Sequence, residues 1–227
     1  TVSGTNSFAG GGVTIIETTG GLTVGAGNVT TDAGQIALTN QAVGGSLTLT
    51  GNVASNAPTA TGANVTLRSD VVVVTGTVNA GSVGNAYLVP NASGRATSID
   101  GSSAYNVTGA YLNQITAATI VVGEDSVPTV LSGVVTMTPN AVNLGARNLT
   151  VSGTSIVAGA NALTTTGTLN LKSSGGIGTA SPILSSVATL SFTNGTAGNV
   201  RVTDTRALGV TVSGTNSFAG GGVTIIE

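Results

Sequence analysis

The chain has 227 residues, long enough for one or two domains, but only 6% of them are charged and 40% are hydrophobic. It contains 35 glycines, no histidine, no cysteine and no tryptophan, and its net charge is −2. This composition excludes disulfide scaffolds, cysteine-based metal sites and most nucleophile–base catalytic pairs, and it offers no basic run for binding nucleic acid.

The first 17 residues of the chain are identical to its last 17. Residues 1–17 read TVSGTNSFAGGGVTIIE, and residues 211–227 repeat them without change. A match of this length at a fixed offset is the signature of a tandem repeat. The sequence therefore predicts one full 210-residue repeat, residues 1–210, followed by the opening segment of the next copy, with adjacent repeats stacked end to end.

Short triplets with an apolar residue on each side of a small polar one recur along the chain. In a strand, the outer two residues share one face and the central residue points to the other. The apolar pair is predicted to lie in a core and the central threonine to face solvent. The triplets begin at positions 22, 47, 65, 120, 135, 149, 169, 190 and 210.

The spacing of the triplets indicates the fold class. From position 149 onwards the starts at 169, 190 and 210 give a period of about 20 residues, which is too short for a propeller blade or a helical repeat. Secondary apolar pairs such as Ile36 and Leu38 lie between the triplets, and glycine and asparagine occupy the turns. We therefore predict an all-β chain in which residues 1–227 form one continuous right-handed parallel β-helix, with about ten coils per repeat and an axial rise of about 48 Å.

One continuous coil predicts a single inner row of core residues. The members of this predicted row are Leu22, Val24, Leu47, Leu49, Val65, Leu67, Leu149, Val151, Leu169, Leu171, Leu190, Phe192, Val210 and Val212.

The triplets stop between positions 84 and 119. This segment carries all three tyrosines, Tyr87, Tyr105 and Tyr111, together with Arg95. It is predicted to be an enlarged coil with an excursion loop. Insertions into solenoids often form a binding face, so these four residues are candidate ligand contacts, while a loop without a partner is the alternative interpretation.

Other polar signals are weak. Glu124 and Asp125 are adjacent after a predicted strand, but two carboxylates supply too few oxygens for a calcium site, so a solvated turn is favoured. Six Asn-x-Ser/Thr sequons occur, as expected by composition in a chain rich in serine and threonine. No cluster of acids and bases suggests an enzyme, no cofactor or metal site is predicted, and single outward threonines argue against ice binding.

Two segments carry a family resemblance. Residues 110–125, AYLNQITAATIVVGED, and residues 149–177, LTVSGTSIVAGANALTTTGTLNLKSSGGI, resemble the repeat regions of filamentous-haemagglutinin-type large exoproteins. The pattern at residues 112–123 is the most specific part, and a looser likeness covers the whole chain. The resemblance implies a right-handed β-helix rod in a bacterial adhesin that is exported through an outer-membrane partner by two-partner secretion. It brings no catalytic residues.

The predicted function is mechanical and adhesive. The chain is expected to be a structural repeat of a secreted or cell-surface filament that supports adhesion, matrix or biofilm. The alternative is a ligand-binding adhesin whose tyrosine-bearing loop contacts glycans or a host surface, and a remoter one is an ice-binding or polysaccharide-acting β-helix. The sequence leaves open whether the rods associate laterally.

Overall fold

Parallel strands stacked turn upon turn make up most of this chain. The structure, a computed structural model, describes residues 1–55, 62–126, 132–138 and 142–227. Strands account for 56% of the chain and helix for 2%, and the strands form a β-solenoid of about 9 turns. The predicted parallel β-solenoid is therefore confirmed. The prediction that residues 1–227 form one continuous segment includes residues 56–61, 127–131 and 139–141, which lie outside the described residues.

Most of the described strands have two to six residues, and three are longer, with 10 to 12 residues. The elements are β1 (Val2–Asn6), β2 (Val13–Glu17), β3 (Leu22–Thr31), β4 (Ile36–Asn40), β5 (Ser46–Leu49), β6 (Val53–Ala54), β7 (Val65–Ser69), β8 (Val71–Val74), β9 (Val78–Asn79), β10 (Asn85–Pro90), β11 (Arg95–Ile99), β12 (Tyr105–Val107), α1 (Gly109–Asn113), β13 (Ile115–Thr116), β14 (Thr119–Val122), β15 (Ser132–Met137), β16 (Asn148–Gly153), β17 (Ser155–Ala158), β18 (Leu163–Ser173), β19 (Ile183–Asn194), β20 (Val200–Asp204), β21 (Thr211–Asn216) and β22 (Val223–Ile226).

One column of strands runs the length of the solenoid, and we call it the long face. It consists of β2, β4, β7, β10, β14, β16, β18, β19 and β21, each pairing in parallel with the next. Parallel in-register pairing places equivalent side chains above one another at about 4.8 Å per turn. The resulting inner row is Val13, Ile36, Val65, Ala86, Ile120, Leu149, Leu169, Leu190 and Val212.

A second column covers the other side of the core at the start of the chain, and we call it the split face. Here β3 pairs with β5 and β5 with β8, while the second half of β3 pairs with β6 and β6 with β9. The strands of this face are thus divided into two short segments by a corner in each turn. The interior between the two faces is a continuous apolar cluster.

This arrangement corrects the prediction of one inner row. Leu22, Val24, Leu47 and Leu49 lie on the split face, whereas Val65 and the later members of the predicted row lie on the long face. The secondary pair that begins at Ile36 occupies the corresponding place on the long face. The triplet spacing could not separate the faces, because both have the same alternation of apolar and polar residues.

The number of turns is also lower than predicted: the whole chain has about 9 turns, whereas about ten were expected for one 210-residue repeat. After Leu149 the long-face row advances in nearly equal steps, to Leu169 and then to Leu190. The earlier steps are mostly longer, so the regular late spacing underestimates the length of the early turns. In the last step Val212 pairs with Leu190, which leaves Val210 outside the row.

The longest step, from Ala86 to Ile120, contains the predicted excursion. It adds an extra strand to the stack instead of a projecting loop, because β11 and β12 pair with each other in parallel and β11 also pairs with β15. Helix α1 follows, with Thr108 as its N-cap accepting a hydrogen bond from the backbone N–H of Tyr111 at 3.2 Å. The segment therefore belongs to the stacked strands that enclose the core.

Candidate functional site: the repeated segment

The two copies of the repeated sequence fold in the same way. In the N-terminal segment, residues 1–17, the Asn6 side-chain amide donates to the carbonyl of Gly12 at 3.1 Å. In the C-terminal segment, residues 211–227, the Asn216 amide donates to the carbonyl of Gly222 at 3.2 Å. Each asparagine ends a strand and fixes the turn that leads to the next one.

The turn itself is also the same in the two segments. The backbone N–H of Gly11 donates to the carbonyl of Phe8 at 2.8 Å, and that of Gly221 donates to Phe218 at 2.9 Å. The glycine before each donor has a positive φ, 74° in one copy and 87° in the other, which glycine adopts without a steric penalty. The segment is therefore a defined strand–turn–strand unit in both places.

The two segments pair on opposite sides. In the N-terminal segment, β1 pairs with β3 and β2 pairs with β4, which are strands of the following turn. In the C-terminal segment, β21 pairs with β19 and β22 pairs with β20, which are strands of the preceding turn. Within the described residues, each segment thus has one paired backbone edge and one edge without a ladder partner.

Apolar side chains of the C-terminal segment lie uncovered at its free edge. Val212 is 41% exposed and Val223 is 48% exposed, although Leu190 and Val200, with which they pair, are fully buried. Both valines occupy inward positions of the stack. The cause of their exposure is that no further turn lies over them among the residues that the structure describes.

Glu17 closes the turn after the N-terminal segment. Its carboxylate accepts hydrogen bonds from the backbone N–H groups of Thr18, Thr19 and Gly20 at 2.9–3.1 Å, and from the Thr19 hydroxyl at 3.0 Å. The backbone and side-chain hydrogen bonds from Thr19 are the main reason why the pKa of Glu17 lies below its usual value. Glu227, at the same position of the repeat, instead accepts from the backbone N–H of Val210 at 2.6 Å.

The predicted core residues lie almost entirely in the interior. Twelve of the fourteen are at most 4% exposed. The exceptions are Val210, which is half-buried, and Val212 at the free edge. The twelve buried residues are Leu22, Val24, Leu47, Leu49, Val65, Leu67, Leu149, Val151, Leu169, Leu171, Leu190 and Phe192.

The structure does not bring the candidate ligand contacts together on a surface. Tyr105 is fully buried and Tyr87 is 8% exposed, while Tyr111 packs partly buried against the core. Arg95 pairs with the carboxylate of Asp70 at 3.3 Å. Tyr105 is therefore not available as a ligand contact, because the extra strand that contains it is a layer of the solenoid.

Among the described residues, three ion pairs link stacked turns of the solenoid. Arg68 pairs with Asp125, Arg95 with Asp70, and Lys172 with Glu124, the last at 2.6 Å. The sequence predicts a solvated turn at residues 124–125, whereas the structure places Glu124 and Asp125 in two of these pairs. Their partners are 48 and 57 residues away in sequence, so only the stacking register could have revealed them.

No cluster of metal-binding groups was found among the described residues, where no three histidine, cysteine, aspartate or glutamate side chains lie together. In that part of the chain no helix is both long and apolar enough to span a membrane. Comparisons with known protein families, with curated proteins and with solved structures found no match to this chain.

Proposed function

We propose that this chain is a structural repeat of a rod in which each 210-residue unit stacks directly on the next. The observation that carries the proposal is that one sequence pairs with the following turn in its first occurrence and with the preceding turn in its second. A segment that has both neighbours at once would have no free edge. Its role is to join successive repeats without an interruption in the solenoid.

The physical benefit of this joint is the removal of two unfavourable edges. A free strand edge leaves backbone N–H and C=O groups without ladder partners, and it exposes apolar side chains that can aggregate. Covering Val212 and Val223 with the next turn would contribute roughly 1 kcal/mol each from apolar burial. Solenoids of this kind owe their stability to such interfaces between neighbouring units.

In the proposed biological setting the rod is a secreted or cell-surface filament with a mechanical and adhesive role. The resemblance of residues 110–125 and 149–177 to large bacterial exoproteins supports this assignment. The alternative, a glycan-binding adhesin that uses the tyrosine segment, loses support from the burial of Tyr105.

The proposal is tested in an array of three repeats by a matched pair of substitutions at each joint. Ile15 points inward, where it pairs with Leu38, whereas its neighbour Ile16 points outward and is 55% exposed. Ile15→Asp at every copy should lower the stability of the array by about 3 kcal/mol or more per joint, because it buries a charge. Ile16→Asp should change the stability by less than about 0.5 kcal/mol.

Thermal and denaturant unfolding of the array and of the 227-residue chain provide the measurement. The loss caused by Ile15→Asp should be smaller in the 227-residue chain, where this residue is covered by one neighbouring turn instead of two. Equal effects of the two substitutions in the array, or equal losses from Ile15→Asp in the array and in the single chain, would contradict the proposed joint.

A further inference from the structure

The pairing of the repeated segment determines how successive repeats are rotated about the axis of the rod. The first strand of the segment is β21 in its C-terminal occurrence, where it pairs with β19 of the long face. The same strand is β1 in its N-terminal occurrence, where it pairs with β3 of the split face. In a tandem array, the long face of one repeat therefore continues into the split face of the next.

The second strand of the segment makes the reverse exchange. As β22 it pairs with β20. In β20, Val200 lies above Ile177, and Ile177 lies above Ile156, on the side of the solenoid opposite the long face. As β2 it pairs with β4, which belongs to the long face. The two sides of the solenoid thus exchange places at every joint.

The number of turns per repeat follows from the same registers. The long-face row takes eight steps from Val13 to Val212. Val212 is the equivalent of Val2, and the segment then needs a further half turn to pass from its first strand to the second, where Val223 is the equivalent of Val13. One repeat is therefore eight and a half turns long.

We infer that neighbouring repeats in the rod are related by half a revolution, so that each surface feature alternates between opposite sides. This inference rests on the proposed stacking of repeats. Eight and a half turns at about 4.8 Å each give a rise of about 41 Å per repeat, and the same feature returns to one side after about 82 Å. The partner for the free edge of the C-terminal segment is thus a second copy of this sequence, rotated by half a revolution about the rod axis.

The local structure of the segment is suited to this exchange of sides. The straight strand β1 pairs with both halves of β3, with Val2 opposite Val24 and Asn6 opposite Thr31. The register shifts between Val2 and Gly4, because β3 turns a corner that β1 does not have. One flat strand can therefore follow the long face of the turn below and begin the cornered face of the turn above.

A single-site label tests the inference in an array of four repeats. The chain has no cysteine, and Thr193 is an exposed residue on β19 of the long face, so Thr193→Cys gives one thiol per repeat. The thiols are labelled with a maleimide gold cluster and located on single rods by electron microscopy. The 227-residue chain with the same substitution, which carries one label, is the control for labelling and for the apparent offset of the cluster.

The expected result is gold clusters that alternate between the two sides of a continuous rod, about 41 Å apart along the axis and about 82 Å apart on each side. Clusters on one side of a continuous rod would overturn the half-revolution relation and leave the stacking of repeats intact. Separate particles joined by gaps would overturn both the stacking and the inference. Helical reconstruction of unlabelled arrays provides the second measurement, with a rotation of half a revolution per repeat expected.

Discussion

Tyr105 is the most informative single side chain of the core. Its ring fills the core at the level of the extra strand, and its hydroxyl has no hydrogen-bond partner among the described residues. Burial raises the pKa of the Tyr105 phenol well above its ordinary value, since the ionised form would lose its hydration. The ring therefore contributes packing, while the hydroxyl contributes an unsatisfied polar atom.

Two substitutions at Tyr105 should have opposite consequences. Tyr105→Phe removes only the unpaired hydroxyl, so the free energy of unfolding should stay the same or rise by about 1 kcal/mol. Tyr105→Ala removes the ring and should lower the free energy of unfolding by about 3–5 kcal/mol. Equilibrium denaturation with urea checks both. A loss of more than about 1 kcal/mol in Tyr105→Phe would show that the hydroxyl has a partner.

The burial of a charged residue such as Asp70 could not be predicted from the sequence. Asp70 is almost fully buried, where it accepts from the backbone N–H of Gly44 at 2.8 Å and pairs with Arg95. Nothing in the local sequence distinguishes it from a carboxylate in a solvated turn. Its environment is created by turns before and after it in the stack, and their register depends on turn lengths that differ widely along the chain.

The corners of the split face depend on stacked glycines. A Cβ atom on Gly51 would lie 1.8 Å from the carbonyl oxygen of Gly25, and one on Gly76 would lie 2.0 Å from that of Gly51. Gly25 lies within β3, while Gly51 and Gly76 follow β5 and β8 at the same corner of the next two turns. Backbone in one turn therefore approaches backbone in the next more closely than any side chain allows.

Glycine substitutions provide a matched test of this corner. Gly51→Ala should lower the free energy of unfolding by about 1–3 kcal/mol, because the added methyl group overlaps the Gly25 carbonyl in the turn below. Gly20→Ala is the control, since a Cβ there would meet nothing within 4 Å and its φ is not positive. It should change stability by less than about 0.5 kcal/mol. Similar losses in both variants would contradict the close contact at the corner.

Most of the strands could be predicted from the sequence, but their assignment to faces could not. The alternation at Leu149, Leu169 and Leu190 predicts buried strands in the correct register, because these turns have nearly constant length. Earlier turns contain corners and an inserted strand, so the equally regular triplets at Leu22 and Val65 belong to different faces. The alternation of apolar and polar residues shows which side chains point inward. Only the lengths of the intervening turns decide whether a strand belongs to the long face or to the split face.

For the molecule as a whole, the repeated segment is the strongest signal in the sequence, and the proposed stacking of repeats gives it a physical role. Sequence identity alone predicted stacked repeats, with about ten coils and a rise of about 48 Å per repeat. The strand registers give fewer turns per repeat than predicted, with more residues in each turn. They also give a half-integral number of turns, eight and a half, which the 210-residue sequence period alone does not reveal. The covalent repeat of the proposed rod is therefore one unit, and its structural repeat is two.

The length of the rod shows whether successive repeats stack on one another through the shared segment. Arrays of two, three and four repeats are imaged by cryo-electron microscopy, and the length of the continuous solenoid is measured in each. Stacking through the shared segment predicts an increase of about 41 Å for every added repeat, with strands spaced about 4.8 Å apart across each joint. An array that shows separate solenoids with gaps between them, or a length that does not grow in equal steps, would contradict the claim.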